Sequence, residues 1–179
     1  GDQFFLPDSW KFYYRDLVGQ KHLRYVPNTG HSLNGTDAVY SMASYFNAIL
    51  NDTKLPDYDW NILADGSIKV TTLDRPKEVL LWQCTNTEAR DFRIEVTGKT
   101  WVSRKLRSDG KGSYLAKVSE PPKGWTAFMV ELTFPEIEKR SNTKKLGERL
   151  GKSNNQIGVP LKFTTGVHVV PETMPYEFK

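Results

Sequence analysis

The chain has 179 residues, of which 38% are hydrophobic and 26% charged, and its formal net charge is +4 at pH 7. This composition is typical of a globular protein in water and leaves room for one ordinary domain or two small ones. No apolar run approaches the roughly 18 residues that a membrane-spanning helix needs, so we predict no membrane span. The single cysteine, Cys84, excludes an internal disulfide and a cysteine-based metal site.

The basic residues are scattered, apart from a cluster between residues 136 and 152 that also contains acidic side chains. Such a mixed run is usually a solvated loop, so we predict no nucleic-acid partner. The stretch from Gly147 to Ser153 is one residue short of a phosphate-binding loop, and no clear strand leads into it. The three histidines are dispersed along the chain, and the sequence therefore predicts neither a metal site nor a cofactor.

The first part of the chain alternates between predicted helices and strands. Asp8 is placed to cap a helix from Trp10 to Leu17, and a short strand from His22 to Val26 follows. A second helix, capped by Thr36 or Asp37, comes next, and Pro56 lies beyond it. Its apolar residues recur at spacings of 3, 4 and 3: Val39, Met42, Phe46 and Ile49. Alternation of this kind is what a layered α/β architecture requires.

From Trp60 onward the apolar residues follow the period of two that strands require. Seven strand candidates, separated by turn residues, predict an immunoglobulin- or fibronectin-like β-sandwich. They are Ile68–Thr71, Val79–Cys84, Phe92–Val96, Trp101–Leu106, Tyr114–Val118, Thr126–Phe134 and Leu161–Val170. His168 alternates with Val167 and Val169, and we therefore predict that His168 faces the solvent.

Two polar residues of the first part have the order and spacing of a catalytic acid and histidine. Asp2 comes before a short apolar run and a proline, and His31 lies 29 positions later in a loop between a strand and a helix. In α/β-hydrolases the acid precedes the histidine and holds its imidazole in the required tautomer. Asp8 is an alternative acid. The alternative interpretation of both candidates is an ordinary turn acid and a loop histidine.

Several segments carry a family resemblance that extends over nearly the whole chain. In the first part they are Asp2–Ser9, Lys21–Asn28 and Gly30–Leu33; in the second they are Val79–Trp82, Arg90–Arg93, Gly124–Phe128 and Leu161–Thr165. They resemble the PhoPQ-activated pathogenicity-related family. The resemblance implies a larger, α/β-hydrolase-like protein in which Asp2 is the acid and His31 the base, with the nucleophile upstream. It also implies an extracytoplasmic or secreted location.

The predicted fold class is therefore α/β plus all-β. Residues 1–56 would be the C-terminal piece of an α/β-hydrolase fold, and residues 57–179 an attached β-sandwich. On this hypothesis the strands that cover the apolar residues of the first part lie elsewhere, so these residues should form an exposed apolar patch. They are Phe4, Phe5, Val26, Val39, Met42 and Phe46.

The predicted function is that of a segment of a serine-hydrolase-like esterase or peptidase. Asp2 and His31 would act with a nucleophile from the upstream part of the same protein, on a small-molecule or peptide substrate. No Gly-x-Ser-x-Gly motif occurs in the 179 residues, so the chain alone is predicted to be inactive. The alternative is a non-catalytic secreted signalling or adhesion protein that binds partners through the β-sandwich.

Overall fold

The computed structural model describes residues 1–136 and 160–175. A 3-10 helix spans Ser9–Phe12, and two α-helices follow, α1 (Ala38–Leu50) and α2 (Ile94–Thr97). The strands of these ranges are β1 (Tyr58–Ile62), β2 (Ile68–Thr72), β3 (Glu78–Asn86), β4 (Val102–Lys105), β5 (Ser113–Ala116), β6 (Trp125–Glu136), β7 (Pro160–Thr164) and β8 (His168–Val170). The mixed-charge stretch predicted to be a solvated loop falls almost entirely outside the described residues.

The strands form two antiparallel sheets. The smaller sheet has the order β1-β2-β5, and the larger has the order β4-β3-β6-β7, with β8 also pairing with β6. The prediction of a β-rich second part is confirmed, and six of the seven candidate segments form strands. The last candidate, Leu161–Val170, divides into β7 and β8. The sequence analysis missed β1.

The two sheets share one apolar core. Ile68 and Val70 of the smaller sheet are fully buried in one cluster with Leu81, Phe128 and Val130 of the larger sheet. These residues alternate along their strands, so one face of each sheet turns toward the other. Ala48 at the end of α1 joins the same cluster, which brings the first part of the chain against the sheets.

The larger sheet is buried on its other face as well. A second cluster joins Phe92, Trp101 and Met129 with Val167 and Val169, and β6 is buried almost continuously from Thr126 to Phe134. A strand covered on both faces loses the alternation of buried and exposed positions.

The prediction that His168 faces the solvent is wrong for this reason. Its neighbours Val167 and Val169 lie in the second cluster, while His168 points to the opposite face, where its ring packs edge-on against Phe128. His168 is 1% exposed.

Residues 1–56 contain less regular structure than predicted. The helix from Trp10 to Leu17 is reduced to the 3-10 turn at Ser9–Phe12. The predicted strand from His22 to Val26 is a single bridge between Leu23 and Thr164. The parallel sheet of an α/β-hydrolase is not seen in residues 1–56, which the structure describes in full.

The predicted helix around residues 38–50 is confirmed as α1. Asp37 precedes it, but its carboxylate binds Arg24 and Lys162 and makes no cap hydrogen bond. The hydroxyl of Thr36 accepts a hydrogen bond from the Ala38 N–H at 3.3 Å instead. Asp37 therefore links the start of α1 to β7.

The apolar residues that recur along α1 at helical spacing face the solvent. Met42 and Phe46 are 69% and 60% exposed, and Phe4 and Phe5 of the N-terminal loop are 75% and 63% exposed. The helix is held to β7 by its opposite side, where Ala38, Ser41 and Ala48 are buried. The predicted exposure of the apolar residues is thus seen for Phe4, Phe5, Val39, Met42 and Phe46, while Val26 is half-buried.

The predicted strand from Phe92 to Val96 is wrong. Its residues form the short helix α2, which ends at Gly98, where φ is +66°. The Ile94 N–H donates to the Gly1 carbonyl at 3.1 Å, so α2 is tied to the N-terminal loop rather than to a sheet. Phe92 is buried beneath this segment, whereas Ile94 is half-buried.

Candidate active site

The carboxylate of Asp2 is held by its own loop. Its Oδ1 accepts hydrogen bonds from the backbone N–H groups of Phe4 at 2.7 Å and Phe5 at 3.3 Å. Aspartate favours this local turn because its short side chain reaches the backbone two and three residues ahead. The turn leaves Oδ2 free to face a second loop.

That second loop presents His31. It begins at Asn28, which has a φ of +58° and whose side-chain amide makes two hydrogen bonds with the backbone of Trp101, at 2.9 and 3.0 Å. A turn follows in which the Leu33 N–H donates to the Gly30 carbonyl. Asn28 therefore fastens the histidine loop to the segment just before β4, and His31 lies in the turn itself.

The structure brings the two predicted residues together. His31 Nδ1 lies 3.0 Å from Asp2 Oδ2, and the His31 side chain is 55% exposed. When the imidazole carries its proton on Nδ1, that N–H donates to Asp2 and leaves a lone pair on Nε2. This is the geometry in which an acid orients a histidine for use as a base.

The environment of Asp2 favours its ionised form. Partial burial raises the pKa of the carboxyl, but the hydrogen bonds from the Phe4 N–H, His31 and the Phe5 N–H together outweigh that effect. The net pKa of Asp2 lies below its ordinary value. The ring of Phe4 packs edge-on against the imidazole at 4.8 Å and covers one side of it.

The alternative acid, Asp8, is used elsewhere. It is 3% exposed and its carboxylate is paired with the buried guanidinium of Arg90. Asp8 precedes the 3-10 helix but makes no side-chain cap hydrogen bond, so the capping role predicted for it is wrong.

Gln3 is a third member of the site that sequence reasoning missed. Its Oε1 accepts a hydrogen bond from the His31 N–H at 3.0 Å and so joins the two loops. A Cβ on Gly30 would lie 3.0 Å from the Gln3 amide, so a larger residue at position 30 would require the Gln3 side chain to shift. The only sequence signal was the position of Gln3 next to the candidate acid.

A cavity of about 770 Å³ opens beside the Asp2 loop. Asp2, Phe4 and Phe5 line it from the N-terminal loop, and Tyr25 and Met129 line it from the first part of the chain and from β6. His31 is not part of the lining. Asp2 therefore contacts the exposed imidazole of His31 and also lines the cavity.

Within residues 1–136 and 160–175, no three His, Cys, Asp or Glu side chains are grouped so that they could hold a metal ion. In the same ranges, no helix is long and apolar enough to cross a membrane.

The fold and the site together define a β-rich protein with a surface carboxylate–histidine pair. The sequence profile described as PhoPQ-activated pathogenicity-related protein matches residues 1–93, just over half of the 179 residues. The chain therefore belongs to the PhoPQ-activated pathogenicity-related protein family, as the sequence analysis predicted.

One similar protein is autocrine proliferation repressor protein A of Dictyostelium discoideum. It is 30% identical over 197 residues, which cover 98% of this chain. The chain spans 37% of the length of that relative. No solved structure matches the chain.

Proposed function

We propose that Asp2 and His31 are the acid and the base of a serine-hydrolase-type site whose nucleophile lies in a part of the protein outside these 179 residues. The observation that carries the proposal is the 3.0 Å approach of His31 Nδ1 to Asp2 Oδ2. In the proposed reaction, His31 Nε2 takes the proton of the nucleophile and later donates it to the leaving group, while Asp2 stays ionised.

The exposed apolar surface of the first part of the chain supports the proposal. The exposed face of α1, with Val39, Met42 and Phe46, and the exposed Phe4 and Phe5 are more apolar than an isolated domain needs. We propose that the nucleophile-bearing part of the protein covers these residues and completes an α/β-hydrolase-like domain. On this proposal the two sheets are an attached sandwich with a fibronectin-like outline, and the protein acts outside the cytoplasm.

The test uses the full-length protein and a fluorophosphonate probe, which reacts with an activated serine. We expect labelling and hydrolysis of an activated ester by the full-length protein and none above background by the 179-residue chain. Asp2→Asn should lower kcat by up to about 10⁴-fold, because the imidazole loses its orienting acid.

The matched control is Asp16→Asn, at an exposed aspartate of the same part of the chain. It should leave kcat unchanged. Turnover by full-length protein that survives His31→Gln would contradict the proposal, and so would saturable turnover by the 179-residue chain alone.

A second candidate function comes from the relative named as a proliferation repressor. In this alternative the chain belongs to a non-catalytic secreted signalling protein that binds partners through its sheets. Full-length protein that takes up no fluorophosphonate but slows cell proliferation equally well with His31→Gln would favour this alternative.

A further inference from the structure

A groove of about 1310 Å³ runs along the outer edge of the smaller sheet and shares no lining residue with the cavity beside the Asp2 loop. Strand β1 forms one wall over its whole length, and the other wall comes from Trp10, Tyr14 and His22. Because β1 pairs only with β2 in the described ranges, this wall is an open sheet edge.

The hydrogen-bonding groups of β1 show which residues face the groove. The Leu63 N–H donates to the Ser67 carbonyl, and the Leu73 N–H donates to the Asp57 carbonyl, so residues 57 and 63 face β2. Backbone groups alternate along an antiparallel strand. The N–H and C=O groups of Tyr58, Trp60 and Ile62 therefore point away from β2 and toward the groove.

The wall of the groove that faces β1 consists of aromatic side chains, and ring contacts and a hydrogen bond fix their positions. Trp10 packs edge-on against Trp60 at 4.8 Å, and Tyr14 stacks on Trp60 at 5.9 Å. The Trp10 indole N–H donates to the Val167 carbonyl at 2.8 Å, which anchors this wall to the larger sheet. The groove therefore combines the unpaired backbone N–H and C=O groups of β1 with a fixed aromatic wall.

The charges that remain free in the groove are mostly negative. Asp52, Asp57 and Asp59 are exposed and have no side-chain partner among the described residues. Of the basic residues in the lining, Lys11 and Lys54 are paired with Glu172 and Asp74. Lys21 donates only to uncharged backbone carbonyls, so it and Arg15 keep their charge, and three free carboxylates face two cations. Burial, and after it the charge of Asp59, raise the pKa of Tyr14, so the field of Asp59 reaches the aromatic wall.

A row of alternating N–H and C=O groups is complementary to another extended backbone. The five residues of β1 span about 17 Å, which suits an added strand of five to seven residues. A second copy of this chain fits poorly, because pairing two β1 edges would bring the Asp57 and Asp59 carboxylates of both copies together.

We propose that this groove binds an extended segment of a partner protein, which adds as a strand to β1 and carries at least one lysine or arginine toward the free aspartates. Backbone hydrogen bonds to Tyr58, Trp60 and Ile62 provide the binding, and the carboxylates select for positive charge. The site is separate from the Asp2–His31 pair and does not depend on its proposed role.

The test uses the 179-residue chain and a labelled seven-residue peptide in which lysine alternates with threonine and valine. We expect saturable binding by fluorescence anisotropy and slower amide hydrogen exchange at residues 58, 60 and 62. A glutamate-for-lysine peptide, and a peptide N-methylated at the amides that would face β1, should each bind at least about tenfold more weakly.

On the protein side, Asp59→Lys should weaken binding of the basic peptide by about fivefold or more. Glu95→Lys, an equal change of charge on exposed α2, is the matched control and should leave binding within about twofold. The proposal is wrong if no peptide binds at about 1 mM, if N-methylation has no effect, or if protection appears at other amides. It is also wrong if the chain dimerises through β1 without peptide.

Discussion

The carboxylate of Asp8 and the guanidinium of Arg90 form the most buried ion pair described, with side chains 4% and 6% exposed. Asp8→Asn would leave the Arg90 charge buried without its counterion. We expect this substitution to lower the free energy of unfolding by about 3–5 kcal/mol. Urea denaturation followed by tryptophan fluorescence would measure the change.

The control for that substitution is Glu78→Gln, which breaks an exposed pair between Glu78 and Lys105, whose side chains are 37% and 79% exposed. Solvent screens such a pair, and the cost should stay below about 1 kcal/mol. Equal costs for Asp8→Asn and Glu78→Gln would show that burial does not govern the strength of the Asp8–Arg90 pair.

His168 should make the stability of the chain depend on pH. Burial lowers its pKa from the ordinary value of 6.5, and its Nδ1 has no hydrogen-bond partner in the described part of the chain. As the pH falls below 6.5, the unfolded chain therefore binds the proton first, and the free energy of unfolding decreases. His168→Leu should make this decrease smaller.

The comparison is the loss of unfolding free energy between about pH 8 and pH 5, because histidines are neutral in both states at the upper limit. Part of the loss should remain in His168→Leu, since burial also lowers the pKa of His22. An unchanged slope in the variant would mean that His168 is protonated as easily in the folded chain as in the unfolded one.

At the residue scale, sequence reasoning succeeded where local geometry decides and failed where distant elements decide. The Asp2–His31 approach followed from two loops at the right spacing, and both loops exist. The alternation of His168 with its neighbours was also right, but which face is covered depends on strands far away in sequence. The partner of Asp8, 82 residues away, could not be inferred from a helix-start pattern.

At the scale of elements, α1 should tolerate polar substitutions on the face that its apolar periodicity would assign to a core. Met42→Lys and Phe46→Lys should each change the unfolding free energy of the chain by no more than about 0.5 kcal/mol, because both side chains are exposed. Lysine is also a good helix former. Thermal unfolding followed by circular dichroism would measure both variants.

The matched control on the same helix is Ala48→Leu, because Ala48 is 0% exposed against the sheets. The larger side chain should cost about 1–3 kcal/mol by overpacking. A large loss in Phe46→Lys, without one in Ala48→Leu, would mean that the helix is attached by its apolar stripe. If another part of the protein covers that stripe, as proposed, Phe46→Lys should cost more unfolding free energy than Ala48→Leu in the full-length protein.

The strands illustrate the same division between local and distant causes. Periodicity of two identified β2, β3, β5 and β6, because one or both faces of each meet a core. Ile94–Thr97, which overlaps the predicted strand Phe92–Val96, forms α2 instead, and the Ile94 N–H donates to the Gly1 carbonyl rather than to a neighbouring strand. Apolar spacing alone does not show which distant residue will bind such a segment.

At the scale of the whole molecule, the first part of the chain is joined to the sheets by a charged network. Arg24 donates to Glu131 of β6 at 2.9 Å and to Asp37 at 2.7 Å, and Lys162 of β7 reaches the other oxygen of Asp37 at 2.7 Å. The backbone adds a bond from the Thr164 N–H to the Leu23 carbonyl. These contacts connect residues 21–37 with the centre of the larger sheet.

We therefore expect residues 1–56 and the two sheets to unfold together. Arg24→Met removes the counterion of Glu131, whose side chain is 5% exposed, and should cost about 3–5 kcal/mol. Replacing both residues, as Arg24→Met with Glu131→Met, should be less harmful than Arg24→Met alone, because no buried charge is left unpaired.

Native-state hydrogen exchange distinguishes one cooperative unit from two. If the parts are coupled, Arg24→Met lowers the opening free energy of α1 amides and of β6 amides by the same amount. If residues 1–56 can detach, only the α1 amides lose protection, and β6 keeps the value of the unchanged chain. The second outcome would mean that the charged network stabilises only the attachment of residues 1–56. The sheets would then be a separate domain that begins near residue 57, as the change of periodicity in the sequence predicts.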